Sequence, residues 1–343
     1  MKRPSISTKL AIGRIVASMV KGKIRKDGRP FIVAHHITNR CMCKCKSCLW
    51  RRNDWKDVPT DVLKRFYTEA RAQGFVAAAI TGGEPFLRKD MGELARHIRR
   101  DCRMGLLLFT TGWLLEKRMD EILPHLNVLL LSIDSAKPER HDELRGLKGL
   151  HNKLLRGAEI AKKRYPKLKI HFNCCVQQGI EDEVDDLIQI AEDLGVHISF
   201  DVITEYRHGT EGNFSETEVG MSLKQLRQVS AYLLWRKRDG APIVNSERYF
   251  EYFAKGRPGY RCHMPKVLMY VDGRGNLEYC LDLDHPIANL RDMPLAEIME
   301  LPRFKQLRRD AEGCSSCNSP TMIDISHTWE SPRIAFSRDG IIL

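Results

Sequence analysis

Six short apolar runs recur between residues 31 and 203, and a segment with helical periodicity separates most of them from the next run. Continuous apolar runs of this length are typical of strands buried on both faces, as parallel strands are. Strands that alternate with helices predict an α/β fold with a helix-covered parallel sheet, and six units fit a partial (β/α)6 barrel. The predicted strands are 31–34, 76–80, 106–109, 128–133, 169–176 and 196–203, and the predicted helices between them are 60–73, 90–100, 115–122, 151–164 and 182–194.

The pattern changes on both sides of this region. Residues 5–26 have an amphipathic, basic helical pattern, and residues 222–238 and 294–309 are also predicted to be helical. Residues 267–279 predict a β-hairpin, because two apolar runs flank the turn Asp272-Gly273-Arg274-Gly275. The predicted organisation is an N-terminal helix (1–30), a core barrel (31–205), a helical linker (206–260) and a small C-terminal domain with a tail (261–343).

Bulk composition excludes several classes of protein. The 343 residues are 43% hydrophobic and 29% charged, and no run of 18 apolar residues exists that predicts a membrane span. The basic N-terminus lacks the long apolar region and cleavage site of a secretory signal. Eleven cysteines, an odd and clustered set, favour reduced thiols and metal over disulfides, and therefore the cytoplasm.

Three cysteines stand close together directly after the first predicted strand. Cys41, Cys45 and Cys48 have the spacing C-x3-C-x2-C, which can hold one four-iron cube and leave one iron without a protein ligand. Cys43 lies between them, and it is interpreted as a spare thiol because C-x-C-x-C gives poor tetrahedral geometry. The alternative is a zinc knot, since closely spaced cysteines are also typical of zinc sites.

The spacing C-x3-C-x2-C resembles the signature of the radical S-adenosylmethionine (radical SAM) enzymes. The resemblance implies that SAM chelates the open iron of a 4Fe–4S cluster and is cleaved reductively to a 5′-deoxyadenosyl radical. It also implies the partial (β/α)6 barrel. A second motif agrees, because a GGEP-like sequence follows the second predicted strand, where the family binds the SAM amino group. These residues are Gly82, Gly83, Glu84 and Pro85.

Four further residues match positions that approach SAM in the family. Thr111 ends the third strand in a small polar run, and Asn173 lies on the fifth strand. Ser132 and Asp134 end the fourth strand, where the resemblance implies hydrogen bonds to the ribose. A helix N-cap is an alternative role for Asp134, and a backbone partner is an alternative for Asn173. The segment His141-Asp142-x-x-Arg145-Gly146 resembles the one that follows in many family members.

A second set of cysteines frames the predicted hairpin. Cys262 precedes the hairpin, Cys280 ends it, and Cys314 and Cys317 follow in a C-x2-C arrangement. This spacing resembles the twitch domain, the shortened relative of the SPASM domain. The resemblance implies one auxiliary 4Fe–4S cluster with four cysteine ligands. The alternative is a structural zinc ribbon.

Together these features predict a radical SAM oxidoreductase or transferase that acts on a small-molecule or lipid-like substrate. The resemblance implies a reductant such as flavodoxin or ferredoxin, and an auxiliary cluster that assists electron transfer. Two alternatives stay open. One is modification of a ribosomally made peptide or protein, although no leader-recognition domain is evident. The other is a zinc-binding module for RNA or a protein partner.

Residues 1–26 hold eight lysines and arginines and no acid, and the whole chain has a formal charge of +12. The rest of the chain therefore carries a formal charge of only +4 (12 − 8), so a nucleic-acid partner is not expected for it. The helix predicts peripheral contact with an anionic membrane through Ile6, Leu10, Ile15, Val20 and Ile24. A similar lead-in precedes the cluster motif in enzymes resembling adenosyl-hopanoid synthases, which implies a lipid-like substrate. The alternative is a helix that packs across the barrel.

Overall fold

The structure is a computed structural model. It describes residues 6–25, 29–48, 56–203, 219–257, 259–280, 283–310, 314–315, 317 and 319–331.

The described residues form one mixed sheet of nine strands, in the order β6-β5-β4-β3-β2-β1-β7-β8-β9. Strands β1 to β6 are all parallel to their neighbours, which confirms the predicted parallel sheet and the partial barrel. The strands are β1 (Ile32–His36), β2 (Ala77–Thr81), β3 (Gly105–Thr110), β4 (Val128–Ser132), β5 (Lys169–Val176), β6 (His197–Val202), β7 (Leu268–Val271), β8 (Asn276–Cys280) and β9 (Leu283–Asn289).

Helices fill most of the connections between these strands. They are α1 (Ile6–Arg25), α2 (Thr60–Ala72), α3 (Met91–Arg96), α4 (Leu115–Ile122), α5 (Pro138–Arg145), α6 (Leu150–Arg164), α7 (Val184–Leu194), α8 (Leu223–Arg238), α9 (Glu247–Ala254), α10 (Leu295–Glu300), α11 (Pro302–Asp310) and α12 (Pro320–Glu330). The helical pattern predicted over 294–309 is confirmed as two helices, α10 and α11. Leu301 has an extended backbone because it precedes Pro302, and it divides the segment into α10 and α11.

The two faces of the sheet have different coverings. On one face, alternate strand residues such as Leu106 and Leu129 pack against α2, α4, α6 and α7 in the main core. On the other face, Leu107 and Leu130 belong to a smaller core that includes Ile15 and Met19 of α1 and Trp329 of α12. Helix α1 therefore packs on the sheet through one face. Ile15 is buried there, so its assignment to a membrane-facing stripe is wrong.

The hairpin joins the main sheet. Strand β7 lies parallel to β1, with Ile32 paired to Leu268, while β8 and β9 continue the sheet in antiparallel fashion. The turn is held by Asp272, whose Oδ1 accepts hydrogen bonds from the backbone N–H groups of Arg274 and Asn276. The predicted domain limits stay a prediction, although the hairpin and the barrel share one sheet.

Candidate metal and cofactor site

The cysteine loop lies at the carboxyl end of β1, and the segment after β2 holds one side of it. The backbone N–H of Gly83 donates to the carbonyl of Thr38 at 2.7 Å, and that of Glu84 donates to the carbonyl of Arg40 at 2.8 Å. A Cβ atom on Gly82 or Gly83 would overlap the carbonyl oxygen of Thr38 or Arg40. Gly82 also has φ +135°, in the region that favours glycine. The two glycines therefore allow a contact that no larger residue permits.

Glu84 is fully buried, and its carboxylate joins this segment to β3. Its Oε1 accepts from Phe86 N at 2.9 Å and from Thr110 Oγ1 at 2.8 Å. Its Oε2 accepts from Thr111 N at 2.8 Å and from Thr111 Oγ1 at 2.6 Å. Burial raises the pKa of Glu84, and these hydrogen bonds oppose that shift. Four hydrogen-bond donors occupy the two oxygens of the Glu84 carboxylate. The role of this carboxylate is therefore to orient Gly82-Gly83 and Thr111. Pro85 then begins a short 3-10 turn.

Helix α5 holds the other side of the cysteine loop. The backbone N–H groups of Lys44 and Lys46 donate to the carbonyls of Arg145 and Leu144 at 2.9 and 3.0 Å. Gly146 ends α5 in the left-handed conformation, and a Cβ there would lie 2.8 Å from Lys44. The loop is therefore fixed by backbone hydrogen bonds from two directions.

Asp134 and Arg145 form a buried ion pair beneath the loop. Arg145 Nε lies 2.6 Å from Asp134 Oδ2, and Arg145 Nη2 donates to Asp134 Oδ1 at 2.9 Å. The backbone N–H of Cys175 also donates to Asp134 Oδ1. Helix α5 begins four residues after Asp134, so the carboxylate is not its N-cap. The sequence motif contained Arg145, but its pairing with Asp134 was not predicted.

The thiols of the loop are arranged around Cys43. Cys43 is buried and lies within hydrogen-bond reach of the Cys41 and Cys45 thiols, and these contacts and burial raise its pKa. The same contact lowers the pKa of Cys41, and with the positive charge of Arg145 it lowers the pKa of Cys45 to about 6. Cys43 therefore stays protonated as a donor, while Cys41, Cys45 and Cys48 are partly exposed. The interpretation of Cys43 as a spare thiol stays a prediction.

Removing the cation of the buried pair should destabilise the protein strongly. In Arg145→Met, the Asp134 carboxylate, 2% exposed, loses its counter-charge, and we expect a loss of roughly 3–5 kcal/mol in unfolding free energy. Anaerobic thermal unfolding followed by circular dichroism measures it. The double variant Asp134→Asn/Arg145→Met should recover part of the loss.

A matched exposed pair provides the control for this prediction. Arg156 pairs with Glu116 at 2.7 Å on the surface, and Arg156→Met should cost about 1 kcal/mol or less. Equal stability losses for the single and the double variant at Asp134 and Arg145 would contradict the ion-pair explanation.

The end of β5 carries a separate polar group. Asn173 pairs with Ser132 in strand register, and its Nδ2 donates to Ser199 Oγ and to Asp201 Oδ2, each at 2.8 Å. Asn245 Nδ2 donates to Asp201 Oδ1 at 3.3 Å. Burial raises the pKa of Asp201 to about 6. Asn173 thus has side-chain partners rather than the backbone partner considered above, and Asp201 and Asn245 were not predicted.

Three cysteines of the second set, Cys262, Cys314 and Cys317, lie around Tyr260 near α9. The backbone N–H of Cys262 donates to the carbonyl of Cys314 at 3.1 Å. Tyr260 faces Cys317, Cys262 and Cys314, whose charges add to burial in raising its pKa. Cys280 ends β8 and packs partly buried against the main core. Residues 311–313, 316 and 318 lie outside the described part of the chain.

Polar contacts extend from β6 toward the second thiol set. The backbone N–H of Val202 donates to Tyr249 Oη at 2.9 Å, and the backbone N–H of Ser246 donates to Asp324 Oδ2 at 3.1 Å. Burial raises the pKa of Asp324 to about 6, and the negative charge of Asp201 adds to the shift. The pKa of Tyr249 is raised by burial and by Asp201, Asp324 and Cys317. The carboxylates of Asp201 and Asp324 therefore lie near Tyr249, as does Cys317 of the second set.

The donor set of the cysteine loop fits an iron–sulfur cluster. Thiolates around one zinc ion each lie about 2.3 Å from it, whereas a four-iron cube spreads its ligands over its corners. A clamped loop with three partly exposed thiols and a glycine backbone beside it fits the larger group.

A parallel sheet whose carboxyl edge holds such a loop defines an α/β protein with an iron–sulfur site. Comparison with known families makes the assignment specific. Residues 36–194 match the Radical SAM superfamily, and residues 262–318 match SPASM, an iron–sulfur cluster-binding domain. The chain therefore carries a radical SAM domain, followed by a C-terminal domain of the SPASM and twitch type. Radical SAM domains bind a 4Fe–4S cluster and SAM, and SPASM domains bind auxiliary iron–sulfur clusters.

Three similar proteins illustrate the range of the family. The AdoMet-dependent heme synthase of Methanosarcina barkeri is 28% identical over 324 residues, which are 86% of this chain and 89% of that protein. The GTP 3′,8-cyclase of Nautilia profundicola is 32% identical over 177 residues, 48% of this chain and 53% of that protein. Streptococcus suis SuiB bound to SAM has a TM-score of 0.68 at 17% identity, over 84% of this chain and 70% of that one, and shows the fold alone.

Proposed function

We propose that this radical SAM enzyme modifies a small-molecule or lipid-like substrate, with an auxiliary 4Fe–4S cluster that assists electron transfer. The observation that carries the proposal is the clamped loop, in which three partly exposed thiols follow residues 38–40, to which the GGEP segment is hydrogen-bonded. The hydrogen bonds from Gly83 and Glu84 on one side and to Arg145 on the other support it.

Each part of the site has a proposed role. Cys41, Cys45 and Cys48 hold the first cluster, and Cys262, Cys280, Cys314 and Cys317 hold the auxiliary one. The residues that hold SAM are Gly82, Gly83, Glu84, Pro85, Thr111, Ser132, Asp134 and Asn173. When bound, the cluster and SAM would supply a 5′-deoxyadenosyl radical for abstraction of a substrate hydrogen atom or addition to a double bond.

The chain's own side chains fix this arrangement and offer polar contacts to a substrate. Glu84 orients the glycine backbone through its hydrogen bonds to Thr111, and Arg145 places a positive charge beside the Cys45 thiolate. Asp201, partly exposed at the end of β6, has a pKa of about 6, so it can accept or return a proton near neutral pH.

The similar proteins support the substrate class to different degrees. The heme synthase aligns over most of both chains, and its name describes a product that is not a peptide. SuiB has also been solved with its precursor peptide SuiA, but at 16% identity this likeness concerns the fold. We therefore favour a small-molecule or lipid-like substrate over a ribosomally made peptide.

Anaerobic purification and a cleavage assay test the proposal. Iron and sulfide should be bound rather than zinc, and reduction in the presence of SAM should release 5′-deoxyadenosine and methionine. A solvent extract of the source cells should increase that release, and protease treatment of the extract should not reduce the increase. Bound zinc without iron would overturn the enzyme assignment, and a protease-sensitive increase would favour a peptide substrate.

A further inference from the structure

Helix α1 has a second face that the sheet does not cover. Its inner face buries Ala11, Ile15 and Met19. Its outer face presents a row of apolar and small residues at three-and-four spacing, which places them on one side of the helix. These residues, called the outer stripe below, are Leu10, Gly13, Ala17, Val20 and Ile24, and all are exposed.

The outer stripe concentrates exposed apolar surface. Leu10, Val20 and Ile24 are 58%, 44% and 75% exposed. Among the described residues, only two other large apolar side chains are as open, Leu223 and Trp235 at 56% and 55%, and both lie on α8. Contiguous apolar surface of this kind marks an interaction site more often than scattered residues do.

Positive charge surrounds the outer stripe. Lys9, Arg14 and Lys21 are exposed. Arg14 lies four residues after Leu10, and Lys21 lies four residues after Ala17, so each of these cations is on the same helix face as a member of the outer stripe. Arg14 Nη1 donates to the carbonyl of Arg103 at 2.7 Å, which brings α1 beside the turn after α3.

The π-helical segment His97–Asp101, just before this turn, adds two further cations. These are Arg99 and Arg100, and burial together with the charges of Arg100 and Arg14 lowers the pKa of Arg99. Within the described part of the chain, the nearby Asp101 pairs with Arg96 and His97, and neither Arg99 nor Arg100 has a carboxylate partner. The basic patch, defined as Lys9, Arg14, Lys21, Arg99 and Arg100, is therefore not neutralised by acids.

We propose that the outer stripe and the basic patch form a docking surface for an anionic lipid membrane. The apolar side chains would lie at the headgroup boundary, and the cations would contact acidic headgroups. An anionic membrane matches both the apolar outer stripe and the positive charge of the basic patch. A second copy of the chain does not, because two basic patches would repel each other and α1 contains no acid.

The docking would be peripheral and would not place the substrate pocket in the membrane. No described helix is long and apolar enough to cross a bilayer. The inner face of α1 packs near the beginnings of the strands, where Ala11 approaches Gly105, whereas the cysteine loop follows the end of β1. The surface therefore acts as an anchor, and the proposal holds whatever substrate the enzyme takes.

Vesicle sedimentation of the intact holoprotein tests this inference. The protein should sediment with phosphatidylcholine vesicles that contain phosphatidylglycerol and stay in solution with phosphatidylcholine alone. Binding should weaken as salt is added. The variant Leu10→Ser/Val20→Ser/Ile24→Ser should weaken binding by about tenfold or more, because it removes the apolar contact. Lys9→Gln/Lys21→Gln should have an effect of similar order.

A matched pair on α8 serves as the control. Leu223→Ser/Trp235→Ser removes equally exposed apolar surface away from the basic patch and should leave vesicle binding unchanged. Iron content and circular dichroism of all variants should match the parent protein. Equal sedimentation with neutral vesicles, none with acidic ones, or an equal loss in the α8 control would overturn the proposal. A dimer that the α1 variant dissociates, seen by light scattering, would do the same and assign the stripe to a second copy.

Discussion

Replacing Cys41, Cys45 and Cys48 together with alanine is expected to reduce the iron content from about eight atoms per chain to about four and to abolish reductive SAM cleavage. The reason is that these thiols are the proposed ligands of the first cluster, whereas the second set lies on separate segments near α9. Iron analysis and 5′-deoxyadenosine release measure the two effects. The fold should persist, because backbone groups of residues 83–84 and 144–145 hold the loop.

Two single variants sharpen this experiment. Cys43→Ala removes the protonated thiol between the proposed ligands, and it should keep the full iron content. Cys102→Ala removes a buried thiol that contacts His97, outside both sets, and should change neither readout. An unchanged iron count in the triple variant, or a loss in Cys102→Ala, contradicts the ligand assignment.

Replacing Cys314 and Cys317 with alanine is expected to remove the auxiliary cluster and the modified product while 5′-deoxyadenosine release persists. The loop with the first set should be unaffected, since its clamping hydrogen bonds come from residues 83–84 and 144–145. Iron content should again fall by about four atoms. The uncoupling of radical formation from product formation is the signature to measure.

The control for this variant is Ser315→Ala, at an exposed position between the two cysteines. Tyr252 Oη donates to the backbone carbonyl of Ser315, which the substitution keeps. If the double cysteine variant bound zinc and made product at the full rate, the C-terminal domain would be structural.

The sheet was predictable because its strands have a strong local signal. Runs such as Val128-Leu129-Leu130-Leu131 have apolar side chains on both faces of the strand, so both faces must be covered by other elements. Strand β9 gave no such signal, since it contains Asp284, His285 and Pro286. Proline lacks the N–H that an inner strand needs, but β9 lies at the edge of the sheet, where proline is tolerated.

Three helices were missed for related reasons. Helix α5, with the sequence PERHDELR, lacks an apolar period. It is specified instead by Pro138 in its first turn and Gly146 after its last. Helices α9 and α12 have local start signals, because Ser246 caps α9 and Ser319-Pro320 begins α12. The hydrogen bond from Ser246 to Asp324, which joins the two helices, is a tertiary contact that local sequence does not encode.

The candidate site was predictable only where its residues are close in sequence. The cysteine spacing and the Gly82-Gly83-Glu84-Pro85 segment are local motifs, and the structure brings them together. Pairs such as Asp134 with Arg145 and Asn173 with Asp201 form because strands and helices end at the same edge of the sheet. Their geometry depends on tertiary contacts, so the sequence identified individual residues without their partners.

The pairing of β1 with β7 can form only late in the synthesis of the chain. Strand β1 gains its second neighbour only when residues 268–271 have been made, more than two hundred residues after Ile32. At cellular rates of synthesis this delay is roughly 10–50 s. Through that interval an apolar strand, which carries the metal loop at its end, is an unpaired edge open to aggregation. Added chaperones should therefore raise the recovered yield by protecting the nascent chain, without any change in the stability of the finished protein.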